Sequence, residues 1–579
     1  MFFIRKKETF YYPGIEIPQT SMDKYRCLDY ATLGALQKAK ARTTLLMLVF
    51  GLSFFIIIAR LFQLTVINYQ ERAFRAPILK TATGLVRKNM TDRQGNIIAT
   101  ALPTVHLSVN PSLVKNPEEV ALNLSQVLPG ATYEDMLSVL TAPGYFKYVR
   151  RNLTPKERND VNWLGYHFLT EADGEKRVYP QGSLFAHIIG AVDIDNQGIA
   201  GLEKSYEDQI KQNDLVLSLD LPLQEMTRSA LAAGIAKYGA DGGIALVMNV
   251  NNGEVLATVS LPDFNPNLPR DGDQDKYFNK AVSGIYEFGS VFKLFNTAMA
   301  LEYGDIKPTD VYDASQPLKI GKKVIEDYRG QNRPLTVTEI LIHSSNIGTV
   351  KIAEKSGYQK QKEFLKKFGF FERLPLHLPE KATPQYPAGA KWPDITSATA
   401  AFGYGISVTP MHLAAGVAAL VNGGIYHVPT FVKGENDKTV EYQIISEKNS
   451  ETLRHMMWAV MNWDSKPDSI ESKYGVGGKT GSANLIEDGK YVKGALRTTF
   501  VGVFPMNDPQ YVVLVTLENP KKRKEDFMFN TGGWNAKPVA MDIISRIAPY
   551  LGVHSVPENW AHPAYITHAI DTSKKYKKR

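Results

Sequence analysis

Ser290 and Lys293 place a hydroxyl and an amine within one helical turn, in the segment Gly-Ser-Val-Phe-Lys at 289–293. At positions i and i+3 the two side chains share one face of a helix. A serine hydroxyl becomes a good nucleophile only when a neighbouring base takes its proton. A lysine that is partly desolvated and crowded by other cations is neutral enough to be that base. The pair therefore predicts acyl transfer through a serine nucleophile.

Two further motifs follow the Ser-x-x-Lys motif along the chain. Residues 344–346 read Ser-Ser-Asn, of the form Ser-x-Asn, and residues 479–482 read Lys-Thr-Gly-Ser. Ser-x-x-Lys alone is a weak signal, because a second match lies at 112–115, where a Ser-x-Asn precedes it instead of following it. Only the set that starts at Ser290 has the three motifs in this order. The candidate site comprises Ser290, Lys293, Ser344, Asn346, Lys479, Thr480, Gly481 and Ser482.

The rest of the composition argues against other chemistries. Cys27 is the one cysteine, so there is no intrachain disulfide and neither thiol catalysis nor a Cys-rich zinc site is indicated. His187 and His343 could suggest a Ser-His-Asp triad, but the sequence has no Gly-x-Ser-x-Gly elbow. The net charge of +8 is spread over 579 residues without a nucleic-acid-binding motif, so no nucleic-acid partner is expected. We expect no metal and no organic cofactor.

The segments around the motifs predict an α+β fold. Residues 243–250 and 254–260 are apolar, β-rich runs joined by Asn-Asn-Gly, a strong hairpin signal. Residues 498–504 and 511–517 form a second strand pair, and the chain between the two pairs is mostly helical. This order predicts one antiparallel sheet with an inserted helical subdomain and an active site at their junction. The main helices are predicted at 290–303, 337–356, 359–368, 411–421, 450–463 and 541–551.

An apolar stretch at 43–67, interrupted by Arg60, predicts a single membrane span. As a helix it would be about 37 Å long, more than the roughly 30 Å of a bilayer core, so Arg60 can lie at an interface. More basic residues precede the span than follow it, which favours a cytoplasmic N-terminus and an exported remainder. Those that precede it are Lys24, Arg26, Lys38, Lys40 and Arg42, and those that follow it are Arg72, Arg75 and Lys80.

The ordered motifs resemble those of class B penicillin-binding proteins, the D,D-transpeptidases that cross-link peptidoglycan. The resemblance covers nearly everything from the anchor to about residue 552. Segments 177–190 and 198–206 look like the family's non-catalytic signature, and 217–224 looks like the entry to its transpeptidase domain. Three positions depart from the usual pattern without removing a reacting group: Phe288 replaces Pro, Ser482 replaces Thr and Lys88 replaces Gly.

The resemblance implies a role for each catalytic residue. Ser290 would attack the D-Ala-D-Ala carbonyl of a donor stem peptide, and Lys293 would take its proton. Ser344 would relay a proton to the leaving D-alanine, and Asn346 would orient Lys293 and the substrate amide. An acceptor amine from a second stem peptide would then resolve the acyl-enzyme.

The resemblance also implies how the substrate is bound. Lys479 and Thr480 would bind its carboxylate, and Gly481 would allow close backbone approach. The backbone N–H groups of Ser290 and Ser482 would form the oxyanion hole. β-Lactam antibiotics would mimic the donor and stall as acyl-enzymes.

The resemblance implies an α+β architecture in which a transmembrane helix, an extended pedestal and a β-lactamase-like transpeptidase domain follow one another. The expected divisions are 1–42 cytoplasmic tail, 43–67 transmembrane helix, 68–215 dimerisation or docking pedestal, 216–560 transpeptidase domain and 561–579 basic C-terminal tail. The expected location is the bacterial inner membrane, with the catalytic domain in the periplasm.

Segments 402–410 and 531–535 look most like the division-specific branch, which cross-links septal wall; the elongation-specific branch is its rival. A β-lactamase would need a deacylating Glu-x-x-Leu-Asn, which is absent between Ser344 and Lys479. A carboxypeptidase stays open, and a silent division scaffold would be expected to lose catalytic groups. Expected partners are peptidoglycan stem peptides, β-lactams, the membrane, a membrane-embedded glycan polymerase and other division proteins.

Overall fold

A computed structural model describes residues 30–62, 87–389, 392–435, 441–487, 489–521, 530–556 and 560–577. It consists of two units, of which the first contains helix α1, Tyr30–Phe62. Within α1, Lys40–Phe62 has a mean hydropathy of 2.5 and is, by length and composition, the one helix among the described residues that could cross a membrane. Residues 63–67 of the predicted span lie outside the described residues.

The second unit opens with the pedestal, residues 87–215, built on a five-stranded sheet. The long strand β2 pairs antiparallel with β1, β3 and β4, and β1 pairs in parallel with β7. The main elements are β1 Met90–Thr91, β2 Ile97–Val109, α2 Pro117–Val127, α3 Tyr133–Leu140, β3 Lys147–Leu153, α4 Pro155–Trp163 and β4 Leu169–Val178.

The pedestal helices begin where their sequences provide caps. Thr132 and Asp135 form a capping box at α3, and Thr154 and Glu157 form another at α4, so two backbone N–H groups are satisfied at each start. The pedestal ends with short elements: α5 Ala186–Ile189, β5 Ala191–Val192, β6 Gly198–Ala200, α6 Gly201–Ser205, α7 Glu207–Ile210 and β7 Leu215–Val216.

The second sheet is antiparallel and has the order β16-β17-β18-β8-β9, which confirms the predicted sheet and both strand pairs. Side chains of β8 alternate between two cores. Ala245 and Val247 pack with α8 and α17, whereas Ile244 and Leu246 pack with the inserted helices. Its elements are α8 Leu221–Tyr238, β8 Gly242–Asn249, β9 Val255–Leu261, β16 Gly477–Glu487, β17 Lys490–Phe504, β18 Tyr511–Glu518 and α17 Ala536–Tyr550.

Helices are the main regular elements of the chain between β9 and β16, as predicted, and the short strands there form three two-stranded sheets. Its helices are α9 Lys293–Tyr303, α10 Val337–Ile342, α11 Asn346–Ser356, α12 Tyr358–Lys367, α13 Asp394–Ala401, α14 Pro410–Val421, α15 Glu447–Asn462 and α16 Ile470–Lys473. Its short strands are β10 Val311–Asp313, β11 Leu318–Ile320, β12 Lys323–Ile325, β13 Pro334–Thr336, β14 Ile425–Tyr426 and β15 Tyr442–Gln443.

Two sequence expectations differ from the structure. The prediction of one helix over 337–356 was wrong, because the chain breaks between α10 and α11 at Ser344, whose φ of 55° is left-handed. Most of segment 561–579, which was expected to be a basic tail, forms a helix, α18 Ala564–Lys577. Ile566 and Ala569 of α18 are buried in the same core as the inserted helices.

Candidate active site

Ser290 lies on a single 3-10 turn, Gly289–Phe292, immediately before α9. The turn rests directly on β16, where a Cβ added to Gly481 would lie 2.2 Å from the carbonyl oxygen of Phe288. Gly289 has a left-handed φ of 52° and donates its N–H to Gly403 O at 3.3 Å. Glycine is therefore required at 289 and 481, since a side chain at either position would push the turn that carries Ser290 off the strand.

Lys293 is fully buried at the start of α9. Its Nζ donates to the backbone oxygen of Ser344 and lies 3.1 Å from Ser344 Oγ. Burial lowers the pKa of Lys293 well below its ordinary value, the charge of Lys479 lowers it further, and Asp327 opposes both. Because desolvation disfavours the ammonium, burial favours the neutral amine that a general base needs.

The Ser-x-Asn motif occupies the break between α10 and α11. Ser345 is the N-cap of α11, where its Oγ accepts from the N–H of Gly348 at 3.0 Å. The carboxylate of Asp327 accepts from Ser345 Oγ at 2.7 Å and from the N–H groups of Asn346 and Ile347. Asp327 thus holds the motif in place, although sequence analysis missed it because a loop aspartate 17 positions before Ser344 has no recognisable spacing to it.

The Lys-Thr-Gly-Ser segment lies near the start of the edge strand β16, which pairs with β17. Lys479 is buried, donates to Thr480 O at 3.2 Å, and burial lowers its pKa to about 8. Ser482 Oγ accepts the N–H of Gly532 at 3.0 Å, which ties the strand to the turn before α17. The strand therefore presents Thr480 and Ser482 on a rigid edge.

These residues converge on an open cavity of about 540 Å³. Six of the eight candidate residues line it, and the other two, Lys293 and Lys479, are buried. His343 also lines it, whereas His187 bonds Lys276 O and is not among the lining residues, so no Ser-His-Asp triad forms from the two. The further lining residues are Tyr328, Arg329, Phe402, Tyr404, Asn484, Gly494, Leu496, Asn530 and Thr531.

Glu287 was not singled out from the sequence, yet it links three parts of the site. It lies three residues before Ser290 and accepts hydrogen bonds from the N–H of Gly405 at 2.6 Å and from Tyr491 OH at 3.1 Å. Tyr491 belongs to β17, near the tip of the β16–β17 hairpin. Burial raises the pKa of Glu287, and the two hydrogen bonds oppose that rise. The hairpin is thereby fastened to the nucleophile segment.

The site combines a serine on a helix-start turn with a buried lysine, at the junction of an antiparallel sheet and a helical insert, as a serine acyltransferase requires. The penicillin-binding protein transpeptidase domain matches residues 243–545, and the penicillin-binding protein dimerisation domain matches residues 86–215. The chain therefore belongs to the penicillin-binding protein family, in the class B branch that joins these two domains.

Known relatives match most of the chain. The probable peptidoglycan D,D-transpeptidase FtsI of Caulobacter vibrioides is 32% identical over 488 residues, 81% of this chain and 82% of the relative. Stage V sporulation protein D of Bacillus subtilis is 31% identical, and the match covers 81% of this chain and 78% of that relative. The peptidoglycan D,D-transpeptidase FtsI of Escherichia coli K12 is 27% identical, and the match covers 78% of this chain and 82% of that relative.

Solved structures share the fold. A peptidoglycan synthetase from Bifidobacterium adolescentis aligns with a TM-score of 0.65 at 21% identity, covering 83% of this chain and 97% of the other. Penicillin-binding protein 3 of Mycobacterium tuberculosis, in complex with aztreonam, aligns with a TM-score of 0.64 at 22% identity. The alignment covers 82% of this chain and 97% of the other.

Proposed function

We propose that this chain is a peptidoglycan D,D-transpeptidase in which Ser290 forms the acyl-enzyme. The observation that carries the proposal is the buried Lys293, which is bonded to Ser344 in a site that Ser290 also lines. The neutral amine of Lys293 takes the hydroxyl proton as Ser290 Oγ attacks the D-Ala-D-Ala carbonyl. Ser344 passes a proton to the leaving D-alanine, and Asn346 orients the amine and the substrate amide.

The strand β16 supplies the substrate-binding part of the site. Thr480 and the charge of Lys479 bind the terminal carboxylate, and Gly481 lets the strand approach the nucleophile turn. The N–H groups of Ser290 and Ser482 stabilise the tetrahedral oxyanion, an effect worth about 3–4 kcal/mol per donor. The amine of a second stem peptide then takes the acyl group, which forms the cross-link.

The setting is the septal wall of a dividing cell, at the inner membrane. The relatives named FtsI support this branch over an elongation-specific one, and α1 supports a single-pass anchor. The excess of basic residues before the span supports an N-terminus inside and a catalytic domain in the periplasm. We propose domains at 68–215 and 216–560, followed by the segment 561–579. A membrane-embedded glycan polymerase and other division proteins are the expected partners.

The test is labelling of membranes with a fluorescent penicillin, comparing the wild type with Ser290→Ala. A stable label that disappears in the variant supports a slowly deacylating transpeptidase. Rapid loss of the label with antibiotic hydrolysis would point to a β-lactamase instead. Release of D-alanine from a pentapeptide without any cross-linked product would point to a carboxypeptidase. If the folded wild-type protein is not labelled at all, the enzyme proposal fails and a catalytically silent division scaffold is favoured.

A further inference from the structure

The C-terminal helix α18 reaches the wall of the active site through one hydrogen bond. Ser573 Oγ and His343 Nε2 are 2.9 Å apart, and Ser573 is fully buried. His343 lines the cavity and directly precedes Ser344 in the chain. Ser573 lies 230 positions after His343 in the chain, yet it contacts this immediate neighbour of the Ser-x-Asn motif.

The docking of α18 is built from apolar burial with polar contacts at its end. Ile566 and Ala569 lie in the main core. At the last turn, the guanidinium of Arg333 lies 4.3 Å from the ring centroid of Tyr576, and Lys577 pairs with Asp464. The helix α18 lies beyond residue 545, where the match to the transpeptidase domain ends.

His343 is held from two sides. Its backbone N–H donates to Glu339 O as the C-cap of α10, and its ring packs edge-on against Trp463 at 5.5 Å between centroids. Burial and the charge of Arg333 lower the pKa of His343 to about 4, although Glu339 opposes them, so the ring is neutral at neutral pH. A neutral imidazole has one donor and one acceptor nitrogen, and the bond to Ser573 fixes how the ring is oriented.

Ser344 needs such support because its left-handed φ of 55° is unfavourable for a residue with a side chain. On its C-terminal side, Asp327 fixes the chain by accepting the N–H of Asn346. On its N-terminal side, His343 is the neighbour whose side chain is anchored. Ser344 therefore lies between two anchors, and one of them depends on α18.

We propose that Ser573 is a positioning residue that, through His343, holds Ser344 where it accepts the hydrogen bond of Lys293. The proposal rests on the proposed roles of Ser344 and Lys293 in acylation. It assigns the C-terminal helix a part in catalysis that a solvated basic tail would not have.

The experiment measures β-lactam acylation of the full-length protein over a range of antibiotic concentrations, which separates the limiting acylation rate from non-covalent affinity. Loss of one buried hydrogen bond, worth about 0.5–1.5 kcal/mol, predicts a roughly 2- to 12-fold slower limiting rate in Ser573→Ala, with affinity unchanged. Ser573→Thr, which keeps the hydroxyl, restores the rate. Thr567→Ala, which removes a hydroxyl from the exposed face of the same helix, leaves it unchanged.

A second arm separates positioning from general loss of structure. In a His343→Gln background, the additional Ser573→Ala change slows acylation no further, because the two residues act as one unit. An unchanged rate in Ser573→Ala overturns the proposal, as does a loss that Ser573→Thr fails to rescue while the melting temperature falls. If wild type is not labelled at Ser290 at all, the proposed function itself fails, which is a different result from equal labelling of wild type and Ser573→Ala.

Discussion

Asp327 accepts the backbone N–H of Asn346 at the first turn of α11, so a loop carboxylate fixes the start of the helix that carries the Ser-x-Asn motif. The same carboxylate raises the pKa of the buried Lys293, against the larger effects of burial and Lys479. Asp327 thus influences both the position of the motif and the proton affinity of the base.

Asp327→Asn should therefore have two separable effects on acylation. Loss of a helix-capping charge costs about 1 kcal/mol, which corresponds to roughly fivefold in the limiting rate at high pH. Removing a negative charge near Lys293 destabilises the ammonium, so the acid limb of the pH–rate profile moves to lower pH. Stopped-flow acylation across the pH range measures both. Glu326→Gln, which removes a charge from the exposed neighbour, is the control, and a limb that moves to higher pH would contradict the argument.

The second sheet and the order of the three motifs could be predicted from the sequence because both depend on local patterns. Apolar, β-rich runs and an Asn-Gly joint fix the β8–β9 hairpin without any long-range information. The edge strand β16 was not predicted as a strand, since the glycine-rich segment 477–481 reads as loop. Glycine is needed there because a Cβ at Gly481 would collide with the nucleophile turn, a contact between residues almost 200 positions apart.

The break between α10 and α11 at Ser344 could not be predicted from the sequence. Residues 337–356 have helical periodicity throughout, and no glycine or proline marks 343–345. What divides them is tertiary: Asp327 caps the second helix, and Lys293 donates to Ser344 O. The motif residues could be named from the sequence, whereas the two residues that position them, Asp327 and Ser573, could not.

Gly481→Ala should abolish acylation while leaving the protein folded. The new methyl group would lie 2.2 Å from Phe288 O, so either β16 or the turn that carries Ser290 must move. Overpacking of this kind costs about 1–3 kcal/mol, too little to unfold a large domain but enough to displace the nucleophile. Penicillin labelling and a thermal melt measure the two consequences. Gly272→Ala, at a position with no atoms near its Cβ, is the matched control, and normal labelling of Gly481→Ala would be inconsistent with this geometry.

Tyr491→Phe should loosen the β16–β17 hairpin. The variant removes one of the hydrogen bonds that oppose the raised pKa of Glu287, so that pKa should rise further. Because Tyr491 is about half exposed, the local cost should be about 1 kcal/mol. Hydrogen exchange should accelerate in the hairpin and acylation should slow. Tyr442→Phe, whose lost hydroxyl donates to Lys367 O, should change neither, and an unaltered hairpin in Tyr491→Phe would count against the link.

Glu203→Gln should destabilise the pedestal more than any exposed ion-pair variant. Its carboxylate is fully buried between Arg87 and Arg177, with Arg177 Nε at 2.6 Å from Oε1. The change leaves Arg177 without its carboxylate partner Glu203, although Arg87 keeps its ion pair with Glu207, and breaking a buried ion pair costs about 3–5 kcal/mol. The melting temperature should fall while labelling at low temperature persists. Arg158→Ala, at an exposed pair with Glu171, should leave the melting temperature unchanged; equal effects of the two variants would refute the assignment.

Removal of residues 1–67 should separate chemistry from cell function. All eight candidate site residues lie beyond residue 289, so an exported soluble form should be acylated by penicillin at the wild-type rate. It should nevertheless fail to support division, because tethering raises the local concentration of the enzyme at the membrane surface. The measurement is whether the soluble form restores division in a strain depleted of the full-length protein. A version in which an unrelated membrane span replaces α1 distinguishes tethering from specific contacts of the helix, and rescue by the soluble form would show that the anchor is dispensable.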